Sequence, residues 1–138
     1  MNRADLQRLS NVRLQESKAL FAAGLSEGAY YLAGYAFECA LKACIAKKTR
    51  EYDFPLDRRQ IEDIYTHDLS RLVTAAGLSA DLKKLMDGDP ASALDWSTIK
   101  DWSEKSRYDQ KTSAEAVALL DAIERGKGGL LPWVRLHW

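Results

Sequence analysis

Proline, cysteine and histidine are all scarce in this chain of 138 residues, with three prolines, two cysteines and two histidines. The prolines, at 55, 90 and 132, interrupt no periodic segment, so nothing breaks a long helix. Runs of alternating β-branched residues are missing, which removes the signal for a sheet. No repeat, low-complexity tract or linker divides the chain, and its length suits one domain, expected to span 1–138. Cys39 and Cys44 fall in one apolar segment at a spacing that places them on different faces of a helix, which speaks against a disulfide between them. With no Cys-x-x-Cys and no histidine paired to them there is no zinc pattern, and neither metal nor cofactor is expected. The two thiols read as small core residues of a reduced, cytoplasmic protein.

An excess of charge is also missing. Lys plus Arg number 20 and Asp plus Glu number 20, which weighs against a protein that grips nucleic acid by bulk electrostatics and leaves room only for a local basic patch. The start, MNRADLQRLS, is charged where a secretory leader needs an apolar run. The longest weakly charged stretch, Gly28 to Ala46, contains Glu38 and Lys42, so it makes a poor membrane span and a good core helix. No membrane association is expected.

What is present is helical periodicity, and the expected fold is an all-α antiparallel bundle of four or five helices. A first helix from about Arg3 to Ala23 carries Leu6, Leu9, Val12, Ala19 and Leu20 near one stripe and stops at Gly24. Ser26 opens a second, central helix to about Thr49, rich in Ala and Gly that allow close packing. The loop TREYDFPLDRR, mildly basic, reads as solvated surface. A third helix begins at YTHDLSRLV, with Leu69, Leu72 and Val73 inward. SADLKKLMDG follows as a short helix, and Pro90 opens another with Leu94, Ile99 and Trp102 as core candidates. Thr112 and Glu115 form a capping box for the last long helix, whose inward residues are Val117, Leu120 and Ile123. The closing segment GKGGLLPWVRLHW is too apolar to stand in water, so residues 127–138 are expected to pack on the bundle or on a partner chain.

The order GAYYLAGYAFECALKACI, then YTHDLSRLV, then SRYD before the last helix resembles that of HEPN-domain proteins, a family of small helical bundles. The resemblance is carried by Glu38, Leu41 and Lys42 in the central helix, His67, Leu69 and Leu72 at the entrance of the third, and Arg107 with Tyr108 before the last. It implies a homodimer, a role in toxin–antitoxin, defence or RNA-processing systems, and a possible nucleotidyltransferase-type partner protein. It also implies an Arg-x4-6-His ribonuclease motif that meets its copy at a dimer cleft and works without metal. This chain departs from that motif: counted from Arg107, the histidine positions hold Thr112, Ser113 and Ala114. With no imidazole in place to move a proton near neutral pH, ribonuclease activity is not inherited by default. The expectation is an RNA- or nucleotide-associated component, with a divergent endoribonuclease as the alternative enzyme.

Each candidate residue has two readings. Arg107 and Tyr108 either contact a phosphate and stack on a base beside the last helix, or form a local ion pair with Asp109 or Glu104 while the tyrosine plugs the core. His67 is either a spatial substitute for the missing histidine or a neighbour of the caps Thr66 and Asp68. Tyr31, Tyr35, Glu38 and Lys42 form a stripe that is either an exposed seam with an i,i+4 ion pair, or a dimer interface or ligand cleft in which Lys42 meets a phosphate.

Overall fold

The computed structural model of the protein describes residues 1–52 and 58–138, without the side chains at 50–52 and 60. Asn2 and Asp5 cap the first helix, α1 (Arg3–Ala22), each side chain accepting the other's backbone N–H at 2.9 and 3.0 Å. The turn that follows needs a left-handed residue, and Gly24 supplies it at φ 79°. α2 (Ser26–Tyr52) starts at once and runs back along α1.

The packing of these two helices differs from the expected stripe. Ser10, Leu14 and Ser17 are buried, while Ala19 faces solvent. The cause lies in α2, whose Ala29, Ala33, Ala36 and Ala40 leave no side chain to hold α1 away. At that short separation the Ser10 hydroxyl donates to the Ala36 carbonyl at 2.8 Å and the Ser17 hydroxyl to Ala29 at 2.6 Å. From Ser10 to Ser17 along α1 the partner steps back from Ala36 to Ala29, which makes the pair antiparallel. Serine serves better than leucine here because it is small and satisfies its own buried hydroxyl.

The remaining elements are α3 (Arg58–Ile64), α4 (Leu69–Ala75), α5 (Ser79–Gly88), α6 (Pro90–Ile99), a 3₁₀ turn (Glu104–Tyr108), α7 (Ser113–Ile123) and α8 (Leu131–Arg135). Among the described residues every regular element is helical, so the all-α bundle expected from the sequence is observed, with more helices than the four or five anticipated. The extra ones are short. α3 falls partly on the segment expected to be a loop; the middle of that loop lies outside the described residues. α2 is central, in contact with α1, α4, the 3₁₀ turn, α7 and α8, and Phe37, Ala40 and Leu41 are fully buried along it.

α6 and α7 bury Ile99, Leu120 and Ile123 as expected and depart from the expected core at one position each. Leu94 is 70% exposed and Val117 37% exposed, although both were expected in the core. Beside Ile99, α6 turns Ser92 and Asp95 inward in place of Leu94, because Asp95 receives both arms of the Arg125 guanidinium at 2.6 and 2.9 Å. The last segment closes the bundle: Leu130, Leu131 and Val134 are buried, and Glu124 accepts from Lys18 at 2.8 Å and Arg135 at 2.7 Å, joining α1, α7 and α8. Cys39 and Cys44 are both free and buried, and burial pushes each thiol up to about 11. No helix among the described residues is long and apolar enough to cross a membrane.

Candidate functional site

The stripe Tyr31–Tyr35–Glu38–Lys42 lies on α2, and the structure separates its members. Tyr31 and Tyr35 stack with ring centroids 6.3 Å apart, and Tyr31 stacks again on Trp102 at 6.2 Å. Both tyrosines are half-buried within their own chain. Trp102 reaches α2 because Gly34 leaves room: a Cβ there would lie 2.2 Å from the indole. Glu38, one turn further, is only 1% exposed, so the exposed-seam reading of the Glu38–Lys42 pair does not hold for the carboxylate.

Glu38 Oε1 accepts from Lys42 Nζ at 2.8 Å and from His67 Nδ1 at 2.9 Å. His67 reaches it from the segment before α4, where Asp68 is the cap, accepting from the Ser70 and Arg71 N–H groups. A carboxylate that accepts at Nδ1 holds the imidazole ring in place and leaves Nε2 free. The other oxygen, Glu38 Oε2, is buried with no hydrogen-bond partner. Trp102 Nε1, Ser106 Oγ and Arg3 Nε are likewise buried with no partner among the described residues. Polar groups left unsatisfied in an interior cost stability.

A cleft of about 400 Å³ opens at this place, lined by Thr66, His67 and Asp68 on one side and by Lys100, Trp102 and Glu104 on the other. Arg107 follows Glu104, the last of the lining residues, by three residues on the same 3₁₀ turn, the spacing that puts two side chains on one face. Arg107 and Tyr108 are both exposed, Tyr108 by 77%, so the tyrosine does not plug the core. The guanidinium lies over the phenol ring at 4.8 Å, and among the described residues it has no carboxylate partner. Four residues on, Lys111 stacks on Tyr30 at 4.7 Å. The start of α7 is not open to a phosphate, because the Glu115 carboxylate already accepts from Thr112 N–H at 3.2 Å. That backbone hydrogen bond holds the Glu115 carboxyl below its ordinary value.

Lys42 faces the other way. It lines a second pocket, of about 530 Å³, between the start of α1, the second half of α2 and the end of α3. Arg3, Thr49 and Tyr65 join it there, none of them flagged by the sequence, since a lone cation in a first helical turn has no pattern. Among the described residues no group of His, Cys, Asp and Glu is placed to hold a metal ion.

Neither protein-family models, curated proteins nor solved structures yield a match to this chain.

Proposed function

We propose that the chain is an HEPN-type, RNA- or nucleotide-associated component of a stress, toxin–antitoxin or defence module, acting as a homodimer without the usual ribonuclease motif. The observation that carries this reading is the exposed Arg107–Tyr108 stack on the 3₁₀ turn that begins at the polar cleft. A guanidinium with no carboxylate partner offers its fork to a phosphate, and an exposed tyrosine offers a face to a base. The contact rests on these side chains, because the α7 terminus is occupied by Glu115. Fluorescence anisotropy with a short single-stranded RNA tests it. Arg107→Ala and Tyr108→Ala should each weaken binding about tenfold, roughly 1.4 kcal/mol, and affinity should fall as salt rises. Binding unchanged in both variants overturns the reading.

A second reading has one observation in its favour. The Glu38–His67 bond of 2.9 Å orients an imidazole at the cleft that Glu104 also lines, one 3₁₀ turn from Arg107, as a metal-independent endoribonuclease requires. Cellular RNA incubated with the protein and a chelator discriminates: cleavage lost in His67→Gln and in Arg107→Ala supports it, and intact RNA at high protein concentration sinks it.

A further inference from the structure

The pocket between α1, α2 and α3 lies apart from the polar cleft and has a different chemistry. Its charged lining side chains are Arg3 and Lys42, with no acid among the described residues that form it. Leu6, Ile45, Ala46 and Ile64 supply aliphatic walls. A pocket of about 530 Å³ with apolar walls and a few convergent polar groups fits a small molecule rather than a macromolecular surface.

The two cations are held differently. Lys42 is fixed by Glu38 at 2.8 Å, a contact that uses one of its three donors and leaves the others for a ligand. Arg3 gives one terminal nitrogen to the Trp138 carbonyl at 2.5 Å, while its Nε is buried and unpartnered. Arg3 nevertheless lines the pocket as a residue, and its other terminal nitrogen is not among the buried unpartnered atoms, so a guanidinium donor remains for a ligand. The walls then decide the rest of the ligand. A nucleobase needs aromatic faces, and Tyr65, itself 77% exposed, is the one aromatic residue among the described lining. Aliphatic walls suit a saturated chain.

We propose that this pocket binds a small amphipathic anion, a carboxylate or phosphate head on an aliphatic body, with Lys42 and Arg3 holding the head and Leu6, Ile45 and Ile64 enclosing the chain. The site is independent of the RNA reading, since neither Arg107 nor Tyr108 lines it. The test uses octanoate and octyl phosphate as separate probes, with AMP and inorganic phosphate alongside, in isothermal titration and thermal unfolding of the full chain. Octanoate or octyl phosphate should bind and raise the melting temperature, and the stronger of the two identifies the head group. Lys42→Met and Arg3→Met should each weaken that binding at least tenfold, and Leu6→Trp, which fills the pocket without touching the charges, should abolish it. The unliganded melting temperature of each variant shows that it is folded, and Arg3→Met, at the edge of the bundle, is the variant that rests least on core packing. No binding of either octyl probe by wild-type protein, binding untouched in Leu6→Trp, or binding of AMP alone would each overturn the proposal.

Discussion

Two buried carboxylates in this molecule are treated in opposite ways. Asp95, on α6, offers both oxygens to the two arms of Arg125 at 2.6 and 2.9 Å, and its side chain is 10% exposed. Glu38, on α2, is 1% exposed and receives both of its partners on a single oxygen, with Oε2 left empty. The first is a matched fork, in which every desolvated lone pair facing inward gains a donor. The second is only half compensated, a poor way to stabilise a helix and a reasonable way to hold two side chains toward two different openings. Asp95 braces α6 against α7. Glu38 holds His67 at one cleft and Lys42 at the other.

The comparison yields predictions about stability. The largest effect belongs to the Glu38 side and does not touch the carboxylate: Gly34→Ala places a Cβ 2.2 Å from the buried Trp102 indole. Trp102 is 3% exposed, so it cannot swing aside, and overpacking of this kind costs about 2–3 kcal/mol. Urea denaturation measures it, and a loss below about 0.5 kcal/mol would show that the indole is free to move. Next comes Asp95→Ala, expected to cost about 2 kcal/mol by removing two charge-assisted hydrogen bonds. Asp95→Asn keeps one acceptor and should cost less. Equal losses for the two variants would mean that the fork is not the source of the stabilisation.

Sequence patterns reveal the frame of the molecule and single out Glu38, but they miss Asp95 and do not show what Glu38 touches, for physical reasons. Gly24 and the Thr112–Glu115 box are local devices, complete within a few residues, and both appear where the sequence puts them. α3 has no such device. RRQIEDI lacks an apolar stripe, and tertiary contacts with α4 support it, including Arg71–Asp63 at 2.8 Å. Glu38 with Lys42 reads either as a surface pair or as part of an interface or cleft, because the i,i+4 spacing is identical on a wet face and a dry one. What distinguishes them is His67, remote in sequence, together with Trp102 over Gly34. Leu94 misleads by its apolarity: the neighbour that turns inward is the charged Asp95, and only the distant Arg125 explains why. The pocket around Arg3 and Lys42 is a product of assembly, with walls from three helices and no motif in any of them.

The contrast sharpens with Glu38→Met. If Glu38 is retained for positioning, an apolar residue of similar length should leave stability within about 1 kcal/mol of wild type, because it removes a half-satisfied buried charge. Lys42 and His67 both reach solvent at 19% and 46% exposure and can be hydrated without it. A loss as large as that of Asp95→Ala would erase the distinction between the two carboxylates.

The smallest effect is one of pH and falls on a third carboxylate. Burial raises the pKa of Glu124, but the hydrogen bonds from Lys18 and Arg135 outweigh it and bring the group below its ordinary value. A folded-state pKa below the unfolded one means that the native protein binds this proton more weakly. The stabilisation is therefore complete above the unfolded value of about 4.3, and it is lost as pH falls from there through the folded pKa. Chemical denaturation repeated from neutral pH down through this acid range should show part of the decline vanish in Glu124→Gln. That variant should be less stable than wild type at neutral pH and approach it in acid. A constant difference between the two curves would mean that the Lys18–Glu124–Arg135 cluster holds α1, α7 and α8 together by packing and neutral hydrogen bonding, independently of the carboxylate's charge.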